Sequence, residues 1–133
     1  MGADEVAVMR PALLELEAAL AGPEEADAGP LCSTFEVEPD RLPRLQVVFG
    51  SPDTLNVYYP FPEPPLELLE RVRKPWPPDL RLTSHEAGAF ATFSFTRPAA
   101  MQLARFLDAL FVDLFQCRAD EYPLTVRLFH LAR

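Results

Sequence analysis

A single lysine, Lys74, stands against eleven arginines and 20 acidic residues, leaving a net charge of −8. Such a chain lacks the positive surface from which binding to a phosphate backbone or an anionic membrane draws most of its affinity. Nucleic acid and membrane are therefore not expected as partners. The two histidines, His85 and His130, and the two cysteines, Cys32 and Cys117, lie far apart, with no CxxC and no His at metal spacing, so no metal and no cofactor is assigned. Both thiols read as small core hydrophobes in a reducing compartment. Five glycines form neither a GxGxxG nor a phosphate-loop pattern, and Ser33, Ser51, Ser84 and Ser94 lack a GxSxG setting. The main signatures of nucleotide binding and of hydrolases are missing, and no catalytic residue is assigned. No segment approaches the ~20 apolar residues of a membrane span, and residues 1–10 have neither the basic start nor the apolar run of a signal peptide, so a cytoplasmic protein is expected.

What the chain does have is 49% hydrophobic residues, enough for one core in a single domain over 1–133. The apolar residues concentrate between Pro98 and Cys117. At helical spacing, Ala100, Ala104, Leu107, Phe111 and Phe115 form one apolar stripe, and Leu103, Phe106, Leu110, Leu114 and Cys117 form a second beside it. Only Gln102, Arg105, Asp113 and Gln116 remain as a polar line. A helix with two apolar faces must be covered by its own sheet on one side and by another element or another chain on the other. Self-association is the expected cover.

Val6, Met9, Leu13, Leu16 and Leu20 predict an N-terminal amphipathic helix that Gly22-Pro23 stops and that begins or kinks at Pro11. Residues 24–29 read as a loop. Strands are predicted over 31–37, 45–49 and 55–59, the last two forming a hairpin through Gly50-Ser51-Pro52-Asp53. Residues 66–73 suit about two turns of helix with Pro65 at its first position. A second hairpin, 80–84 and 89–95, turns at 85–88; the long helix is entered through Thr96 as cap and Pro98 at its start; 122–131 is a last strand. The fold class is therefore α+β, an antiparallel sheet of five or six strands in the order α-βββ-α-ββ-α-β, with the long helix across it and the N-terminal helix beside that helix.

Up to its last strand, this order together with the acidity resembles the small acidic chaperones of type III secretion. That resemblance implies a dimer that binds extended partner segments; it covers roughly residues 4–117, carries no motif residues, and the strand at 122–131 departs from it.

The function expected is a non-enzymatic protein-binding module of adaptor, chaperone or immunity type, a homodimer, whose acidic rims speed encounter with basic partners. Its interface residues are Phe106, Leu110, Phe111 and Leu114 on the helix, with Tyr58, Phe61 and Trp76 from the proline-aromatic loops, where stiff backbone lowers the entropy lost on contact. The rival reading is a small-molecule site or minor enzyme between sheet and helix, lined by Phe90, Phe93 and Phe95 with His85 and Glu86 at its mouth. Asp53 is the remaining acid–base candidate, although adjacent strand residues such as His85 and Glu86 point to opposite sides.

Overall fold

Apolar residues at odd-numbered positions recur along four predicted strands, and strand geometry sends alternate side chains to one face, so Phe35, Leu45, Val57 and Ala91 should share a surface. In a computed structural model of the chain, which describes residues 3–21, 31–37, 43–50, 52–117 and 124–130, they do. Phe35 pairs with Leu45, Leu45 with Val57 and Val57 with Ala91 across neighbouring strands, and all four are buried. The strands are β1 (Leu31–Val37), β2 (Arg44–Val48), β3 (Asp53–Tyr58), β4 (Arg81–Glu86), β5 (Phe90–Phe95) and β6 (Leu124–His130). They form one antiparallel sheet in the order β4-β5-β3-β2-β1-β6. The strand expected beyond the secretion-chaperone pattern, β6, pairs along the whole of β1.

This topology explains the long helix. The chain leaves β5 near one edge and must return as β6 at the other, so the connecting helix α3 (Ala100–Ala109) crosses the sheet and covers one face. Up to Phe111 both apolar stripes are buried: Leu103, Ala104, Leu107 and Phe111 are fully shielded, and Phe106 and Leu110 are at most 2% exposed, while Leu114, Phe115 and Cys117 beyond are half-buried. The sheet covers one side of α3; helix α1 (Ala3–Ala21) packs against another, through a core that includes Met9, Leu13 and Leu16. The loop after the short helix α2 (Pro65–Leu69) closes a third, where Arg73 reaches Asp108 and Asp113 of the long-helix segment at 3.4 Å each. Cover for the second apolar face thus comes from within the chain.

Several local readings need correction. Thr96 does not cap α3: its hydroxyl donates to Asp79 Oδ2 (2.8 Å), and the cap is Ala99, with no side-chain hydrogen bond. Pro98 disfavours helix in the residue before it, so the regular turns start only after it. Nor does the α-helix run to Cys117. From Leu110 to Leu114 it opens into a π turn, with Phe115 N–H donating to the Leu110 carbonyl (3.1 Å) and Cys117 N–H to that of Phe111 (2.9 Å), and Gln116 follows at φ 58°. The turn ends where Asp113 accepts the Arg73 N–H (2.9 Å), a pairing between residues forty apart that no periodicity reports. Helix α1 runs through Pro11, which is exposed, so its ring faces solvent and the helical bond it cannot donate to the Ala7 carbonyl is lost at the surface. Helix α2 is shorter than 66–73; its last turns close by the tighter bonds Arg71 N–H to Leu68 carbonyl (3.0 Å) and Val72 N–H to Leu69 carbonyl (2.9 Å). Strand β4 reaches Glu86, so the hairpin turns later than expected, around Gly88 at φ 78°. The expected stop at Gly22-Pro23, the loop over 24–29 and the side chains of Leu20 and His130 lie outside the described residues.

Candidate functional site

Three short segments meet at one end of the helical layer. Val6 and Ala7 come from the first turns of α1, Met101, Arg105, Asp108 and Ala109 from α3, and Arg73, Lys74 and Pro75 from the loop between α2 and β4. They enclose an open groove of about 320 Å³. Its floor is apolar, made by Val6, Ala7, Pro75, Met101 and Ala109, and its rim carries three of the twelve basic residues of a strongly acidic chain.

The three cations are not equivalent. Arg73 is committed, because its guanidinium sits between Asp108 and Asp113 and its backbone N–H is bonded to Asp113. Asp108 is 2% exposed, and this pairing lets a carboxylate lie beneath the groove. Among the described residues, Lys74 and Arg105 have no ion-pair partner. Lys74 instead lies 4.9 Å from the centre of the Trp76 ring, and that ring is fixed by its own N–H donating to the Val72 carbonyl (2.9 Å). The sequence singled out Trp76 as a contact residue; here it is half-buried and holds the rim lysine in place. Because Pro11 has no N–H to offer, the Ala7 carbonyl at the groove's lip lacks its usual helical donor. Apolar floor and two uncommitted cations together suit an amphipathic, acidic occupant.

The other residues named from the sequence fall into two groups. Tyr58, Phe61 and Phe111 come together around Phe115, with ring centres 6.4, 5.9 and 6.3 Å from it. Tyr59 extends this cluster, 5.2 Å from Phe61 edge-on and donating its hydroxyl to the Glu63 carbonyl (2.6 Å). The proline-aromatic stretch is thus packed onto the end of the long helix, and Leu114 lies partly buried against the same core. Phe106, Leu110 and Phe111 are inside, under α1 and the sheet. His85, Glu86 and Phe93 are not brought together: Phe93 is buried, while His85 and Glu86 are exposed on the edge strand β4, and none of them lines the groove. Phe90 points to the opposite face from Phe93 and Phe95.

Asp53 has a structural role. It accepts the Gly50 N–H (2.8 Å) and a two-pronged pair from Arg97 (3.0 and 2.8 Å), whose guanidinium lies 4.0 Å over the Phe49 ring. Burial raises the Cys32 thiol above its ordinary pKa; burial, then the nearby Asp108 carboxylate, raises Cys117, so both are protonated and weakly nucleophilic at neutral pH. Among the described residues, no three His, Cys, Asp or Glu side chains converge as a metal site, and no helix is long and apolar enough to cross a membrane. The residues that sequence reasoning missed include Val6, Ala7, Lys74, Pro75, Met101 and Arg105, since no single segment contributes more than a few of them. Compared with family models, with curated proteins and with solved structures, the chain matches none.

Proposed function

We propose that the chain is a non-enzymatic protein-binding module of adaptor, chaperone or immunity type, whose groove between α1, α3 and residues 73–75 takes an amphipathic, acidic segment of a partner protein. The observation that carries this reading is the pair of uncommitted cations, Lys74 and Arg105, at the rim of an apolar floor on a chain of net charge −8. Repulsion from the rest of the acidic surface weighs against an acidic partner, and the two cations at this rim offset it locally. The acidic rims expected to attract basic partners do not describe this groove. Two free thiols fit a reducing, cytoplasmic setting.

Homodimerisation, expected from the apolar long helix, must in this reading use a different surface. Helix α1 offers one, since Val8 and Leu14 are 50% and 40% exposed along its outer side. Light scattering over a dilution series measures that part, and the groove does not depend on it.

The groove is tested by fluorescence anisotropy with a labelled helical peptide that carries leucines on one side and glutamates on the other, alongside its lysine counterpart. Binding of the glutamate peptide alone, weakened at least about tenfold by Lys74→Glu with Arg105→Glu, is the result expected for two lost charged contacts. Equal binding of both peptides, or none, would overturn the proposal.

A further inference from the structure

We infer that the face of the sheet turned away from the helices holds a second site, for a small molecule that carries a planar aromatic ring and a carboxylate. It rests on no part of the groove reading above, because it lies on the other side of the sheet.

Along one transverse row of that face, the register aligns Thr92, Asn56, Gln46, Thr34 and Arg127 on five successive strands. Three of these are linked in series: the Thr92 hydroxyl donates to Asn56 Oδ1 (2.7 Å), and Asn56 Nδ2 donates to Gln46 Oε1 (2.9 Å). Gln46, its oxygen used as acceptor, keeps two amide N–H donors and stands beside Thr34 in register. There the series stops. Thr34 is 3% exposed, and its Oγ1 has no hydrogen-bond partner among the described residues. A hydroxyl buried without a partner is costly, and such groups are rare unless something outside the chain meets them.

Thr34, Gln46 and Asn56 line a groove of about 310 Å³, at the small end of the range for ligand sites, roughly 300–1,000 Å³, so its occupant is one or two rings in size. The walls identify the chemistry. On one side Tyr58, whose ring also stacks on Phe115 at 6.4 Å, and Phe90, directly opposite it on β5, supply aromatic surface. On the other stand Arg44 and Arg127, with the buried Glu36 carboxylate beside them. Arg127 already donates to Glu36 Oε1 (2.8 Å), whereas Arg44, next to Glu36 in register, is exposed with no ion-pair partner among the described residues. Arg44, the Gln46 amide and the Thr34 hydroxyl are all donors on one side of an aromatic wall. A flat ring packed on Tyr58 and Phe90, with its carboxylate accepting from Arg44, Gln46 and Thr34, satisfies each of them.

The test uses the full chain, labelled for amide NMR, with three probes: phenylacetate, cyclohexylacetate (carboxylate without aromatic ring) and 2-phenylethylamine (ring with the opposite charge). The expected result is a saturable shift of the Thr34, Gln46 and Arg127 amides with phenylacetate, weaker binding of cyclohexylacetate and none of the amine. Arg44→Gln, a change at an exposed position, should weaken phenylacetate about tenfold. Thr34→Val, which removes the unpartnered hydroxyl at constant shape, should weaken it too while leaving the unfolding midpoint unchanged or higher. No saturable shift at millimolar phenylacetate, equal binding of all three probes, shifts confined to Ala7, Met101 and Ala109, or full binding by Arg44→Gln would each overturn the assignment. The peptide outcome at the other groove is untouched by any of these.

Discussion

The two faces of this sheet carry adjacent rows of opposite character. Val126, Phe35, Leu45, Val57 and Ala91 run across five strands beneath the helices, and one residue along, Arg127, Thr34, Gln46, Asn56 and Thr92 run across the same strands on the side turned away from the helices. The first row is held by exclusion of water and by close packing with α1 and α3; the second is held laterally, by side chains that bond to each other across strands. The stability of the domain therefore rests on one face, and selectivity is available to the other and to the rim where the helical layer ends. The apolar stripes of helix α3 belong to the first region. Its apolarity reports a core shared by the sheet, α1 and the Arg73 loop, and the candidate groove begins where that core stops, at Met101, Arg105 and Lys74.

Substitutions that separate the two faces should differ in size. Leu107→Ala or Phe111→Ala, both fully buried under the helical layer, should each cost about 3–5 kcal/mol in urea unfolding, by lost transfer energy and the cavity left behind. Asp53→Ala, at the margin of the covered face, removes the acceptor of Arg97 and of the Gly50 N–H and should cost about 2–3 kcal/mol by the same measurement. Asn56→Ala, in the polar row, breaks two hydrogen bonds of a half-buried side chain and should cost about 1 kcal/mol. A loss there as large as at Leu107 would mean that the polar face carries the fold as well.

Tyr59→Phe sharpens the comparison through pH. The Tyr59 hydroxyl donates to the Glu63 carbonyl, and its pKa is raised by burial, then by the Glu63 and Glu67 carboxylates. A folded-state pKa above the unfolded value means that the contribution is fully present below the unfolded value, about 10, and is lost as pH rises through the folded one. The native chain should lose more stability than Tyr59→Phe between pH 9 and pH 11, and Tyr59→Phe should be about 1 kcal/mol less stable at neutral pH. Urea midpoints at the three pH values check both.

Much of the architecture was legible because strand alternation and helical spacing survive in single segments. Leu45, Val47 and Phe49, then Leu55, Val57 and Tyr59, announce their strands without help, and the order of elements follows from them. Details that depend on a distant partner were not legible. Thr96 is a good cap until Asp79 takes its hydroxyl; residues 110–114 are good α-helix until Arg73 takes Asp113. The apolar helix pointed to a partner chain because the sequence does not state that α1 lies against it. The candidate groove was harder still: Ala7, Pro75 and Met101 are unremarkable residues in three segments, and Arg105 reads as an ordinary exposed position. Lys74 alone gave a signal, as the single lysine, and nothing in its neighbours said what it faces.

The most direct test of the account is where an acidic amphipathic peptide contacts the chain. In an amide NMR titration with the glutamate-bearing helical peptide, the account predicts that shifts concentrate at Ala7, Lys74, Met101, Arg105 and Ala109 and leave the β4 edge around His85 still. Shifts centred on His85 and Glu86, or spread through Leu107 and Phe111 as α1 separates from α3, would contradict it.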